Sequence, residues 1–444
     1  MHYLHTDDVI VAQCTSEGVG AVNIIRISGN KLEQLYKQIT KTRKKPTPNG
    51  IFKKHIYVNN KLLDQCLVSF FASPNSFTGE DIIEINCHGG SFVSYNIISS
   101  LCDAKLARFA LPGEFTFRSY YNGKIDLIQA ESINDLINCE TNVFANKSIE
   151  NLTGRLSNEI KSIKTDTLSM LSGLEHELDL SENEIDYTEN RVLYKNFKHV
   201  VDKIVKINSS TFFSNIIQRG IRVVLVGRPN VGKSTLFNHL LGYGRSIVSS
   251  VAGTTRDTVE AVLEIAGFRV KIIDTAGYWE SDNTIEMMGI EKTREEILKS
   301  DIILFLGEKK SDLELINSFD VKKRIIKILS KSDINRSTGY NFNICSLDGR
   351  GIDSLLTDLS TQIYETSKTK SIGAEYYINK RQQEVINALI VSGNNILEHI
   401  KNNISHDIIA TLLHEFVDIL NEIVNPVNRE DIINNIFSNF CVGK

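Results

Sequence analysis

Gly227-Arg228-Pro229-Asn230-Val231-Gly232-Lys233-Ser234 decides the fold. The stretch fits G-x-x-x-x-G-K-[ST], and it follows a Val- and Leu-rich strand pattern and opens a helical one, the context that gives the motif its meaning. Glycines there let backbone N–H groups wrap phosphates at the positive end of a helix, while Lys233 reaches the outer phosphates and the Ser234 hydroxyl ligates Mg2+. Working outward, Arg222 to Val226, Val270 to Asp274, Asp301 to Leu306 and Arg324 to Leu329 read as strands alternating with helical patterns. That alternation predicts a P-loop α/β domain of the Ras-like kind over 219–366.

The remaining nucleotide elements follow in order. Asp274-Thr275-Ala276-Gly277 ends a strand, where a carboxylate can hold the metal's water shell and the Gly277 N–H can sense a γ-phosphate. Between it and the phosphate loop, Gly253-Thr254-Thr255-Arg256-Asp257 offers Thr255 as a second Mg2+ ligand. Ser330-Lys331-Ser332-Asp333 resembles the guanine reader [NT]-K-x-D, with Asp333 accepting two hydrogen bonds from the base, a choice of GTP over ATP. Ser330 departs from the usual Asn, whose longer amide ties the base loop to the phosphate loop. Cys345-Ser346-Leu347-Asp348 stands where S-A-x is usual, with Leu347 in the place of the Ala. The Gln that orients water in Ras-type enzymes is replaced by Tyr278, so another group must position the nucleophile; Glu286 is a candidate, and an ordinary surface Glu is the alternative.

The rest of the chain frames this domain. At 444 residues, 41% hydrophobic and 23% charged, several globular domains are expected. Lys+Arg 50 against Asp+Glu 54 gives a net charge of −4, without the basic footprint of a protein that holds RNA by phosphate contacts alone. Apolar runs fall far short of the roughly 20 residues that span a bilayer, and the start lacks a basic-then-apolar leader, so a cytosolic location is expected. The seven cysteines form no C-x-x-C pair, and Cys87 beside His88 reads as a thiol in a strand rather than a metal site. Val9 to Cys14, Ala21 to Ile27, Cys66 to Phe71 and Asp81 to Cys87 read as strands of a mixed α/β module over 1–121. Apolar residues at helical spacing (Leu152, Leu156, Ile160, Ile163, Leu168, Leu171) mark 122–218 as helical, and the chain is helical again over 367–444. The order predicts one discontinuous helical domain with the P-loop domain inserted. Lys41 to Lys45 reads as a solvated loop.

With both ends of the chain, these elements resemble the bacterial tRNA modification GTPase family MnmE (TrmE) along essentially the whole length. The likeness rests on Asp8-Val9-Ile10-Val11-Ala12-Gln13, Ile24-Ile25-Arg26-Ile27-Ser28-Gly29, Asn75-Ser76-Phe77-Thr78-Gly79-Glu80-Asp81, Cys87-His88-Gly89-Gly90, Pro112-Gly113-Glu114-Phe115, Asn122-Gly123-Lys124 and the closing Phe437-Ser438-Asn439-Phe440-Cys441-Val442-Gly443-Lys444. Leu111 and Phe117 depart from the Arg and the polar residue common in the family, and Val442 replaces a common Ile.

The resemblance implies a tetrahydrofolate-binding, aminomethyltransferase-like N-terminal fold that also makes a homodimer. A 5-formyl-tetrahydrofolate or related one-carbon donor would meet Arg26, Glu84, Lys124 and Lys444, and Cys441 belongs to a C-terminal cysteine motif. Without it, Arg26 and Lys124 read as ordinary solvated charges. It implies a K+ ion in place of an arginine finger, held by Asn230 and by Ser249, Val251 and Thr254 within Ser249-Ser250-Val251-Ala252-Gly253-Thr254, with Glu286 orienting water. It implies work with the FAD-dependent MnmG (GidA) in a heterotetramer, adding an aminomethyl or carboxymethylaminomethyl group at C5 of the tRNA wobble uridine. A ribosome-assembly GTPase and a non-catalytic GTP-controlled scaffold are the competing readings.

Overall fold

The computed structural model describes residues 8–179, 189–243, 245–246, 259–275, 293–318, 323–369, 375–425 and 430–443. The chain divides into two compact units: Met1–Asn134 with Asn151–Leu168 and Thr411–Lys444, and Asp135–Glu150 with Ser169–Ala410.

In the first unit, strands β1 (Ile10–Gln13), β2 (Val22–Gly29), β3 (Ile51–Val58), β4 (Lys61–Phe71), β5 (Asp81–His88) and β6 (Arg108–Phe109) form a sheet of order β3-β4-β5-β2-β1-β6. Its pairs are antiparallel except β1 with β6. Alternation decides its faces: Ile25, Ile27, Val68, Ile83 and Ile85 point into a core with Leu35, Tyr36 and Ile39 of helix Glu33–Thr40 and Ile97 and Leu101 of helix Ser91–Asp103. Arg26 and Glu84, paired across β2 and β5, take the opposite face.

The C-terminal segment completes this unit. Phe437 and Phe440 are buried with Phe117, Leu127 and Ala130, and the Phe117 and Phe437 rings meet edge-on at 5.5 Å and 78°. The Gly113 N–H donates to the Cys441 carbonyl at 3.2 Å, and the Cys14 thiol to the Gly443 carbonyl at 3.1 Å. Gly113 and Gly443 are required: a Cβ would come within 2.6 Å of the Phe437 carbonyl oxygen or 2.2 Å of the Gln13 carbonyl oxygen, and both residues have positive φ. Arg118, fully buried, is held by Asp8 at 2.7 Å, Glu80 at 3.1 Å and Glu114 at 3.0 Å.

In the second unit, β7 (Ile221–Gly227), β8 (Arg245–Ser246), β9 (Val259–Ile265), β10 (Phe268–Asp274), β11 (Ile302–Gly307), β12 (Arg324–Leu329) and β13 (Phe342–Asn343) form a sheet of order β13-β12-β11-β7-β10-β9-β8. The pairings from β13 to β10 are parallel. Successive residues of β7 enter opposite cores, Val223 and Leu225 on one face and Val224 and Val226 on the other, which is why the run is apolar without alternation. Helices Asn190–Asn208 and Lys380–Lys401 belong to the same unit, the latter opened by a capping box between Asn379 and Gln382.

Every strand anticipated from sequence is present, with ends moved by at most five residues, and β3, β9 and the two-residue strands β6, β8 and β13 are additional. Gly154, at φ +91, interrupts the helical stretch between helices Asn142–Leu152 and Arg155–Asp179. Leu168 is 40% exposed, and the buried stripe runs instead through Thr167, whose hydroxyl donates to the Ile163 carbonyl. The residues from 41 to 45 lie outside helix and strand. Among the described residues, no helix is long and apolar enough to cross a membrane.

Phe437→Ala is expected to cost about 3–5 kcal/mol, read as a lowered urea midpoint for the transition of the first unit. Val442→Ala, at a residue 51% exposed, should stay within about 0.5 kcal/mol.

Candidate functional site

The phosphate loop leaves β7 and enters helix Lys233–Tyr243. Its turn uses two left-handed residues, Asn230 at φ +59 and Gly232 at φ +100, while Val231, 2% exposed, pins the loop to the core beneath. Gly227 is fixed by its neighbour strand, because a Cβ there would lie 2.3 Å from the Leu306 carbonyl oxygen. The Lys233 ammonium, 7% exposed as a residue, donates to the Gly227 and Arg228 carbonyls at 3.1 and 3.0 Å. Burial pulls it below its ordinary value, opposed by Asp274. Thr235, exposed, continues the helix.

Asp274 ends β10 beside the loop. Its Oδ2 accepts from the Ser234 hydroxyl at 2.7 Å, and its Oδ1 is buried with no hydrogen-bond partner. Burial raises its pKa, opposed by the Ser234 hydrogen bond and the Lys233 charge. A hydroxyl oxygen and a buried carboxylate oxygen lacking a donor suit a hard divalent cation with part of its water shell. The Thr275 hydroxyl donates to the Leu225 carbonyl at 2.7 Å, tying the end of β10 to β7.

The base loop follows β12. The Ser330 N–H donates to the Gly307 carbonyl at 2.9 Å, and Ser332 N–H to Ile344 at 3.0 Å. Ser330 is 2% exposed, whereas Asp333 is exposed with its carboxylate available for a base edge. Lys331, at φ +53, pairs with Glu308 at 2.6 Å. Next to it the Ser346 carbonyl meets the His239 ring, Leu347 is 87% exposed, and Asp348 pairs with Arg350 at 2.7 Å. All of these loops leave the carboxyl ends of neighbouring parallel strands, where open α/β sheets bind ligands.

Sequence reasoning missed His239 and the partners of Arg228 and Lys331. His239 stands one helical turn after Thr235, on the same side of its helix, which was the available signal. Ser249, Ser250, Val251, Ala252, Gly253, Thr254, Thr255, Ala276, Gly277, Tyr278, Glu286 and Lys444 lie outside the described residues.

In the first unit, Arg26 and Glu84 bind each other, Nε to Oε1 at 2.9 Å, with the guanidinium 5.5 Å from the Phe77 ring centroid and 5.7 Å from that of Phe115. Lys124 donates to the Pro74 carbonyl at 2.9 Å. Cys441 is an exposed free thiol. Cys87 is 1% exposed in β5 and burial pushes its thiol up to about 11, while the His88 ring turns to Asp64 at 2.7 Å.

Gly232→Ala tests the phosphate loop. Its Cβ would meet the Ser330 hydroxyl at 3.0 Å from a left-handed backbone. A strain of about 1–3 kcal/mol is expected, read as roughly 10-fold or greater weakening of fluorescent GDP binding with circular dichroism unchanged.

Comparison with known proteins places this geometry. Residues 9–124 match the model described as GTP-binding protein TrmE N-terminus, and residues 127–441 match the MnmE helical domain. The chain is 32% identical to the tRNA modification GTPase MnmE of Clostridioides difficile, covering 99% of both chains. It is 34% identical to that of Acetivibrio thermocellus, over 99% of this chain and 100% of the relative, and 33% identical to that of Thermotoga maritima, over 98% and 100%. A solved structure of Aquifex aeolicus Era is 30% identical over 32% of this chain and 56% of its own, with a TM-score of 0.27. With two family models that together run from residue 9 to 441, and relatives matched end to end, the chain belongs to the tRNA modification GTPase family MnmE (TrmE).

Proposed function

We propose that this chain hydrolyses GTP in the service of tRNA modification. With the FAD-dependent MnmG (GidA), it adds an aminomethyl or carboxymethylaminomethyl group at C5 of the wobble uridine, using a one-carbon unit from a tetrahydrofolate. The observation that carries the hydrolase half is the convergence of Lys233, Ser234 and the partnerless Asp274 Oδ1 beside the carboxyl ends of β7 and β10. Likeness to the MnmE relatives carries the tRNA half.

Water attacks the γ-phosphorus, and GDP and inorganic phosphate leave. The N–H groups of Asn230, Val231, Gly232, Lys233, Ser234 and Thr235 hold the phosphates, and Lys233 lies against the outer ones. Ser234 and Thr255 would hold Mg2+, with Asp274 behind them, and Asn230, Ser249, Val251 and Thr254 would hold K+. Bound there, the two ions would supply positive charge where it develops on the phosphates, in place of an arginine. Ala276, Gly277 and Thr275 would serve the γ-phosphate end, Ser250, Ala252 and Gly253 would belong to the K+-binding segment, and Glu286 would orient the water. Ser330, Lys331, Asp333, Ser346, Leu347 and Asp348 form the guanine end.

The folate reading is supported by Arg26 and Glu84, a part-exposed cation and carboxylate side by side on one sheet face. It is supported too by Gly443, packed on Gln13 of β1, the strand next to that of Arg26. Lys124 and Lys444 add cations for the ligand's carboxylates, and Cys441 lies within the same C-terminal motif. The proposed organisation is a folate-binding and dimerising domain over 1–121, a helical domain from 122–218 and 367–444, and a G domain over 219–366. Homodimers would join MnmG in a cytoplasmic heterotetramer.

GTP turnover should be faster in potassium than in sodium buffer. Glu286→Ala should lower kcat about 100-fold or more while GTP affinity changes little; equal rates in the two buffers would remove Asn230 and Glu286 from the mechanism. Deleting the gene and analysing tRNA nucleosides by mass spectrometry should reveal wobble uridines lacking the C5 group. A normal nucleoside profile would instead favour ribosome assembly or a scaffold.

A further inference from the structure

The strand between the phosphate loop and the base loop is β11. Its Leu306 pairs with Gly227 at the start of the phosphate loop, and its Gly307 pairs with Leu329 at the threshold of the base loop. The segment that leaves it, Gly307-Glu308-Lys309-Lys310-Ser311-Asp312, therefore rises between the two halves of the nucleotide site.

Two carboxylates on this segment reach in opposite directions. Asp312, 5% exposed, uses Oδ2 to accept the N–H groups of Glu308 and Lys309 at 2.9 and 3.0 Å, which fixes the segment's shape. Its Oδ1 pairs with Arg228 Nε at 3.0 Å, and Arg228 is the second residue of the phosphate loop. Glu308 pairs with Lys331 at 2.6 Å, and Lys331 is the second residue of the base loop. Tyr340 closes the arrangement, its hydroxyl donating to the Lys309 carbonyl at 2.7 Å and packing so close to Gly307 that a Cβ there would lie 2.2 Å away. The two loops otherwise approach at Ser330, whose hydroxyl lies 3.0 Å from where a Cβ on Gly232 would stand. That hydroxyl makes no hydrogen bond to the phosphate loop, and it lacks the longer reach of an asparagine amide.

We propose that Glu308 and Asp312 are positioning residues that hold the phosphate loop and the guanine loop in register, taking over the tie that Ser330 does not make. The inference rests on the reading of these loops as a GTP site. Asp312 fixes Arg228, Glu308 fixes Lys331, and the rigid turn between the carboxylates sets the distance from the phosphate-binding to the base-binding end. Neither carboxylate needs to touch the nucleotide. Their effect falls on affinity for a ligand that must fit both ends at once, and the chemical step at the γ-phosphate is left alone.

The full-length chain tests this through Asp312→Asn, Glu308→Gln and Arg228→Gln, singly and as the Arg228/Asp312 pair, each with and without Ser330→Asn. Fluorescent GDP affinity, GDP release rate, the KM and kcat of GTP hydrolysis, and the thermal midpoint are measured. Asp312→Asn and Glu308→Gln should each raise KM and GDP release by about fivefold or more, as for contacting charged pairs. At saturating GTP, kcat should stay within about twofold. The pair should be no worse than the more affected single variant, and Ser330→Asn should return affinity close to the wild-type value in every carboxylate variant. Unchanged KM, an additive Arg228/Asp312 pair, or a lowered thermal midpoint that Ser330→Asn does not rescue in affinity overturns the proposal. A wild-type chain that binds ATP as well as GTP overturns the guanine-site reading and this proposal with it; wild-type guanine selectivity with unaffected carboxylate variants overturns this proposal alone.

Discussion

Lys233 and Asp274 are opposite charges, 7% and 9% exposed; Lys233 opens the helix that follows β7, and Asp274 ends the adjacent parallel strand β10. Removing two ions from water costs several kcal/mol each, and mutual attraction recovers that only with good geometry and further hydrogen bonds. Here the ammonium caps the Gly227 and Arg228 carbonyls and the carboxylate accepts from Ser234. One carboxylate oxygen remains without a donor, so the arrangement is incomplete. A parallel sheet buried on both faces is what makes such a site affordable, since it fixes the strand ends from which the phosphate loop and Asp274 project. The apolar residues of β7, β10 and β11 thereby set the spacing of the nucleotide groups.

The legible part of this site was the part written locally. Phosphate-loop glycines, the lysine and the serine act within one turn, so their spacing in sequence is their spacing in space. The β–α alternation was legible for the same reason, because each crossover returns the chain to a neighbouring parallel strand. β9 escaped because it is an antiparallel partner of β10 and breaks that rhythm, although Val262, Leu263 and Ile265 are buried. β3 escaped because Lys53, Lys54 and His55 occupy its middle while its buried residues, Ile56 and Val58, come only at its end. Pairings such as Arg228 with Asp312 were hidden in principle, since surface-type charges acquire partners only when distant loops converge.

In the N-terminal unit the balance was different. Arg26 reads from sequence as an ordinary solvated charge, and only the family likeness singles out Arg26 and Glu84; the sheet register then puts them side by side. Arg118 drew no notice, yet it is completely buried and held by three carboxylates from three segments. Its neighbours in the helix Glu114–Tyr121 include Phe117, which faces the C-terminal aromatic cluster. The polar network and the apolar cluster thus fix neighbouring faces of one short helix.

The hydrogen bond from Cys14 to Gly443 closes a loop of 429 residues. During synthesis the N-terminal sheet emerges first, but Phe117, Leu127 and Ala130 remain without Phe437 and Phe440 until the intervening P-loop domain has been made. Loop-closure entropy makes so distant a contact late as well as slow. The first domain to leave the ribosome is therefore among the last to be finished, and a chain cut short within the final helix keeps its nucleotide loops while leaving an aromatic face of its oldest part open to water.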